Sequence, residues 1–222
     1  MKISEVVITE AKRTAVGSLG KSFKNVQSFE LGAAVIKEFF NKSSLKKNDI
    51  DEVILGQVLT AGLGQNPARQ AAINSGIPKE KPAYIVNQVC GSGIRSIVSG
   101  LQSIKSNNSK IIIAGGQENM SLAPHAIHLR DGKKLGDTEL LDTMIRDGLW
   151  DAFHDYHMGV TAENVAEKFQ ITRDEQDKFA LKSQKKALSA QKENKFKEEI
   201  IDFIIKSKKS EINFNKDEHP RE

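Results

Sequence analysis

Asn87-Gln88-Val89-Cys90-Gly91-Ser92-Gly93-Ile94-Arg95 holds the single cysteine of the chain. The residues on either side of it decide the fold. Upstream, Ala83-Tyr84-Ile85-Val86 is a short run of β-branched and aromatic side chains, which predicts a strand. Downstream, Ile94, Ile97, Val98, Leu101 and Ile104 recur at helical spacing, which predicts a helix starting near Gly91. Cys90 therefore falls at a strand-to-helix turn, over the N–H groups of a first helical turn. Such a place favours an anion, and the thiolate is the nucleophilic form of cysteine. Gly91 and Gly93 leave the backbone bare where a substrate would approach. A buried structural thiol at a tight turn is the competing reading of the same residues, and a thiol redox sensor is a third.

The same alternation of strand and helix extends outward from this turn. Glu5 to Thr9, with Val6-Val7-Ile8, has a buried-strand pattern and runs straight from Met1 with no secretory leader. A glycine-punctuated loop, Ala11 to Gly20, follows. Ser28 is placed to cap a helix over Phe29 to Phe40. Val53 to Val58 predicts a second strand. Asn66-Pro67 opens another helix with proline at its first position. Lys110 to Gly116 predicts a fourth strand ending in two glycines. Strands separated by helices of this length imply an α/β fold, a parallel sheet covered on both faces with right-handed crossovers.

Past Gly116 the pattern changes. Residues 125–160 hold Trp150 and four of the five histidines without a clear period, a long excursion of the kind that often carries function. Thr161 is placed to cap Ala162 to Phe169. Thr172-Arg173-Asp174-Glu175 is a capping box for a helix through Leu188. Phe196 to Ile205 reads as a strand or mixed segment. Ser207 to Glu222 is charged, has no apolar face, and reads as a linker or frayed end.

Composition narrows the classes. With 222 residues, 38% hydrophobic and 28% charged, the chain can bury a sizeable core as one large or two small domains. One cysteine allows no internal disulfide, which fits a reducing cytoplasm. The net charge of +4 is mild and compatible with a phosphate-bearing ligand. There is no apolar run of membrane-span length, no zinc-type Cys/His spacing and so no metal, no Walker loop and no RNA-binding signature.

The motifs resemble those of the thiolase family, N-terminal half, most nearly the bacterial biosynthetic acetyl-CoA acetyltransferases. The resemblance rests on Lys12-Arg13-Thr14-Ala15-Val16-Gly17, Gly62 to Gln70, Val89-Cys90-Gly91-Ser92-Gly93, Ala114 to Ser121 and Tyr156 to Asn164, in that order along the chain. It implies the N-terminal half of an α-β-α-β-α layered fold with an inserted loop domain, the second half absent. Residues 1–120 would form the α/β domain carrying the nucleophile. Residues 121–222 would form the loop domain, with coenzyme A and tetramer contacts. Cys90 matches the nucleophile that takes the acyl group as a thioester. Leu149, His157, Met158 and Arg221 match positions lining the coenzyme A site: Leu149 and Met158 over the pantetheine arm, His157 along it, Arg221 near the nucleotide phosphates. Each also has a plain reading as core, structural histidine or solvated arginine.

The implied reaction is the condensation of two acetyl-CoA molecules to acetoacetyl-CoA and CoA, or its reverse. Coenzyme A thioesters are substrates and no cofactor is resident. The family's second cysteine and its oxyanion-site histidine and asparagine have no counterpart here. A complementing C-terminal half is therefore an implied partner, and nucleic acid and membrane are not. A β-ketoacyl synthase relative shares the fold, but Gly115 to Ser121 and His157 to Asn164 argue against it. A non-catalytic fragment that binds CoA or a partner subunit is the alternative function.

Overall fold

The computed structural model describes residues 5–41, 43–206 and 210–221. Helices and strands alternate at first: α1 (Ser28–Asn41), β1 (Glu52–Gly56), α2 (Pro67–Ser75), β2 (Ala83–Val86), α3 (Ser92–Lys105) and β3 (Ile112–Gly116). Short elements follow: β4 (His125–Ala126), β5 (Leu141–Asp142), α4 (Thr143–Gly148), β6 (Trp150–Asp151) and β7 (Tyr156–His157). Two longer helices, α5 (Met158–Lys168) and α6 (Arg173–Lys192), lead to β8 (Phe203–Lys206) and β9 (Glu211–Phe214).

β1 to β3 form one parallel sheet in the order β2-β1-β3, with Val53 opposite both Ala83 and Ile113. Successive strand residues face opposite sides. Val53, Leu55 and Ile113 join Ala33 and Ile36 of α1 and Ala68, Ala71 and Ala72 of α2 in one core cluster. Ile54 and Gly56 thus face the other way, where α3 packs on β1 and β3. The sheet is covered on both faces, as its apolar strands predict. Opposite faces for α2 and α3 are what right-handed crossovers require when the chain steps from β1 to β2 and then back past β1 to β3.

Local signals account for several helix ends. The Asn66 side chain caps α2 by accepting from Arg69 N–H, and Gly76 ends the helix in the left-handed region at φ 87°. Thr172 and Glu175 close the capping box of α6, which runs past Leu188 to Lys192. Two caps differ from the sequence reading. Ser28 is the first residue of α1, and its buried hydroxyl accepts from Gln57 Nε2. A buried amide must find a partner, and that demand claimed the serine. Thr161 lies inside α5, which His157 caps by accepting Gly159 N–H on Nδ1. The imidazole lone pair starts the helix one turn earlier.

Two larger expectations fail. Residues 5–10 form no strand, and Val7 and Ile8 are 66% and 77% exposed; Met1 to Ser4 lie outside the described residues. A strand exists through its ladder partner, and none pairs with this segment among the described residues. α3 forms where the apolar spacing predicts a helix, and its most buried face is made of small residues. Ser92, Ser96 and Gly100 are the buried positions, while Ile94, Ile97 and Leu101 are exposed. Small residues let the helix approach β1 and β3 closely, which turns the large ones outward.

The C-terminal stretch, finally, is no frayed end. β9 pairs antiparallel with β8, and Phe23 makes edge-to-face contacts with Phe203 and Phe214. The Arg13 guanidinium holds both Asp217 oxygens at 2.7 and 3.1 Å and Glu199 at 2.6 Å. Glu218 accepts from Ser18 N–H and the Ser22 hydroxyl. Arg13, Ser18 and Ser22 lie 204, 200 and 196 residues from their Asp217 or Glu218 partners in sequence, so no local pattern announces the clasp; residues 207–209 and Glu222 lie outside the described residues.

Candidate active site

The chain leaves the sheet at Val86 and re-enters a helix at Ser92. Five residues, 87–91, must turn it. Val89 takes φ 48°, in the left-handed region that a β-branched residue normally avoids. Its N–H is held by Asn87 Oδ1 at 2.9 Å. Its carbonyl accepts from Ser92 N–H at 3.1 Å and from the Ser92 hydroxyl at 2.6 Å. The same Ser92 oxygen accepts Gln88 N–H at 2.9 Å. Cys90 sits on the crest of this turn, exposed and unbonded to any other cysteine. That exposure removes the buried-thiol reading.

The floor of the turn is glycine. A methyl group on Gly56, at the carboxyl end of β1, would come within 2.4 to 2.6 Å of the Ser92 and Gly93 backbone. Gly56 is thus what lets the first turn of α3 rest directly on the strand. The Ser96 hydroxyl lies 2.7 Å from both Gly93 O and Gly115 O, fastening that turn to β3. No side chain caps α3; Gly91 holds the N-cap position. Cys90 therefore stands at the carboxyl ends of the parallel strands, where α/β sheets place their ligand sites.

Of the other sequence-designated residues, three come together and one does not join them. Trp150 pairs with His157 across β6 and β7, and Met158 N–H donates to Leu149 O at 2.8 Å. Leu149 and His157 are half-buried, and Met158 is exposed. Arg221 lies against α6, its N–H donating to Gln184 Oε1. No hydrogen bond among the described residues joins Cys90 to any of them. The β6–β7 turn is itself fixed: Asp151 receives Phe153 N–H and His154 Nδ1, and Trp150 Nε1 donates to Asp155. The Phe153 N–H and then the His154 ring hold the Asp151 carboxyl below the usual carboxylate range.

A buried polar chain that the sequence reading missed lies behind the sheet ends. Gln117 Nε2 donates to Gln57 Oε1, and Gln57 Nε2 donates to Ser28 Oγ and Leu59 O. Glu118 accepts Val58 and Leu59 N–H on one oxygen. Its burial, outweighing those bonds, pushes its pKa up. Gln117 and Glu118 line a cavity of about 190 Å³ between α1, the outer edge of β3 and Lys12 to Thr14; Cys90 is not among its lining residues. Only the Gln-Glu pair after a strand's terminal glycines could have signalled this chain in the sequence.

The family description "Thiolase, N-terminal domain" matches residues 6–222. The chain belongs to the thiolase family. It is 54% identical over 221 residues to an acetyl-CoA acetyltransferase of Rhizobium meliloti, covering 100% of this chain and 56% of that protein. The cytosolic acetyl-CoA acetyltransferase of Mus musculus is 47% identical over 216 residues, 97% of this chain and 54% of that one. The crystal structure of the Bacillus anthracis acetyl-CoA acetyltransferase superposes with a TM-score of 0.93 at 38% identity, covering 97% of this chain and 55% of that chain. This thiolase chain thus spans about half the length of the relatives it matches. The family match runs through the sequence of the C-terminal hairpin. Among the described residues no helix is long and apolar enough to cross a membrane.

Proposed function

We propose that this chain is the acyl-accepting half of an acetyl-CoA C-acetyltransferase. The Cys90 thiolate attacks the carbonyl of acetyl-CoA. The acyl–sulfur bond to CoA breaks, CoA leaves and takes a proton, and Cys90 carries the acetyl group as a thioester. A second acetyl-CoA, deprotonated at its α-carbon, then attacks that thioester, forms acetoacetyl-CoA and returns the thiolate. The Cys90 backbone N–H contributes to the site for the thioester oxyanion. The observation that carries this reading is the single thiol, presented in the open on a braced strand-to-helix turn, in a chain 54% identical to a named acetyl-CoA acetyltransferase.

The α-carbon base is not in this chain. It comes from a complementing C-terminal half, which brings the second cysteine, histidine and asparagine of the family and covers the exposed Ile94, Ile97 and Leu101 face of α3. The division is at about residue 120. The first part carries the nucleophile. The second carries coenzyme A and tetramer contacts, with Leu149 and Met158 along the pantetheine arm, His157 hydrogen-bonding to it and Arg221 near the phosphates. The clustering of Leu149, His157 and Met158 on one hairpin supports this placement. The chain keeps no metal or resident cofactor, and its substrates are coenzyme A thioesters.

Intact-mass spectrometry after incubation with acetyl-CoA tests the reading. The chain alone gains one acetyl group, which Cys90→Ala abolishes, and shows neither condensation nor thiolysis. Co-expression with the C-terminal part of the Rhizobium meliloti relative restores turnover. An acetyl adduct that survives in Cys90→Ala, or full turnover by the chain alone, would overturn it. A second reading, a non-catalytic subunit, draws on the exposed α3 face. It predicts co-elution with a full-length relative on size exclusion and no Cys90 adduct.

A further inference from the structure

We infer that Ser92 is a positioning residue for Cys90. It acts by locking Val89 in the left-handed conformation that swings the thiol onto the crest of its turn. The inference rests on the reading of Cys90 as acyl acceptor but is carried by separate observations. A valine at φ 48° is held against its own preference. Something nearby must over-determine that conformation, and the contacts on Val89 identify it. Ser92 is 4% exposed, and its hydroxyl donates to Val89 O and accepts Gln88 N–H. One side-chain oxygen therefore ties the Asn87–Gln88 peptide to the Val89–Cys90 peptide, closing a loop that spans Gln88 and the strained Val89. Asn87 Oδ1 adds a weaker, exposed hold on Val89 N–H.

Ser92 is itself immobilised from below. Gly56 admits the Ser92 and Gly93 backbone to a distance no other residue would allow. Ser96 fastens the same helical turn to Gly115 of β3. The sheet thus sets the helix start, Ser92 transmits its position to Val89, and Val89 sets where Cys90 points. Ser92 touches no substrate in this scheme. Removing its hydroxyl frees Val89 to return to ordinary φ, and Cys90 turns off the crest.

The causal order gives a test that a general loss of stability would not mimic. Asparagine adopts the left-handed region at far lower cost than valine. Val89→Asn should therefore rescue Ser92→Ala, because the conformation no longer needs the lock. The measurement is the rate of Cys90 alkylation by iodoacetamide at fixed pH in the full chain, with acetyl transfer from acetyl-CoA followed in parallel by mass. Ser92→Ala should slow both by about tenfold, since small misplacements of reacting groups cost that much or more. Ser92→Thr, which keeps the hydroxyl, and Ser92→Ala with Val89→Asn should each recover most of the rate. Far-UV circular dichroism shows whether each variant is folded.

A folded Ser92→Ala chain alkylated at the wild-type rate would overturn the inference, and so would a double variant with no recovery. If Ser92→Ala does not fold, Asn87→Ala takes its place. A several-fold slowing that Val89→Asn reverses supports the lock, and unchanged reactivity removes it. Acetyl transfer missing from every variant, with the alkylation order intact, would end the proposed function and leave the positioning role standing.

Discussion

α1 and α2 bury Leu31, Ala33, Ile36, Ala68, Ala71 and Ala72, whereas α5 and α6 bury nothing, although α6 is the longest helix described. The two pairs are helical for different reasons. α6 carries a capping box, acidic residues in its first turn, and i,i+4 ion pairs from Arg173 to Asp177 and Lys178 to Asp174. Each such local term contributes only tenths of a kcal/mol to about 1 kcal/mol. α2, nine residues with Pro67 at its start and Gly76 at its end, would be marginal alone and is held by the core. A helix can thus be legible from its own residues and still contribute little to global stability.

The largest effect that tests this contrast is a pair of truncations. Ile54→Ala, at a fully buried position under α3, should lower global stability by about 2–5 kcal/mol in urea denaturation followed by circular dichroism. Leu181→Ala, 56% exposed on α6, should change it by less than about 0.5 kcal/mol. Equal costs would mean that α6 is buried in a contact between copies of the chain.

An intermediate effect belongs to the clasp between the two ends. Burial pushes the Asp217 carboxyl up, but the Arg13 hydrogen bond and charge, with Val16 N–H, outweigh it and hold it below its ordinary value. A depressed carboxylate stabilises the fold above its unfolded pKa of ~3.9, and that contribution is lost as pH falls through the lower folded value. Asp217→Asn should therefore cost about 1–2 kcal/mol at pH 7, discounted for partial exposure, and flatten the acid limb of the stability profile below about pH 4. An unchanged acid limb would show that the clasp adds nothing to the fold.

The smallest effect sharpens the contrast from the other side. Thr172→Ala removes the α6 cap and should cost that helix about 1 kcal/mol. Hydrogen exchange should quicken in the first turns of α6 while the midpoint of sheet unfolding stays in place. A matching fall in the sheet midpoint would make the two regions one cooperative unit.

By itself the sequence determined the alternating α/β order, the Asn66 and Thr172 caps and the strand-to-helix turn at Cys90, because each is written within a few neighbouring residues. Periodicity, capping chemistry and glycine placement act over one turn or one strand. Only the tertiary structure decided which face of α3 is buried, since Ser92, Ser96 and Gly100 turn inward to let the helix rest on Gly56 and the end of β3. It also decided that the charged C-terminal stretch is clasped by Arg13, that residues 5–10 find no ladder partner among the described residues, and that Ser92 braces Val89. Each of these depends on what lies opposite in space, on a hydrogen bond or a close approach between segments that local propensity does not encode.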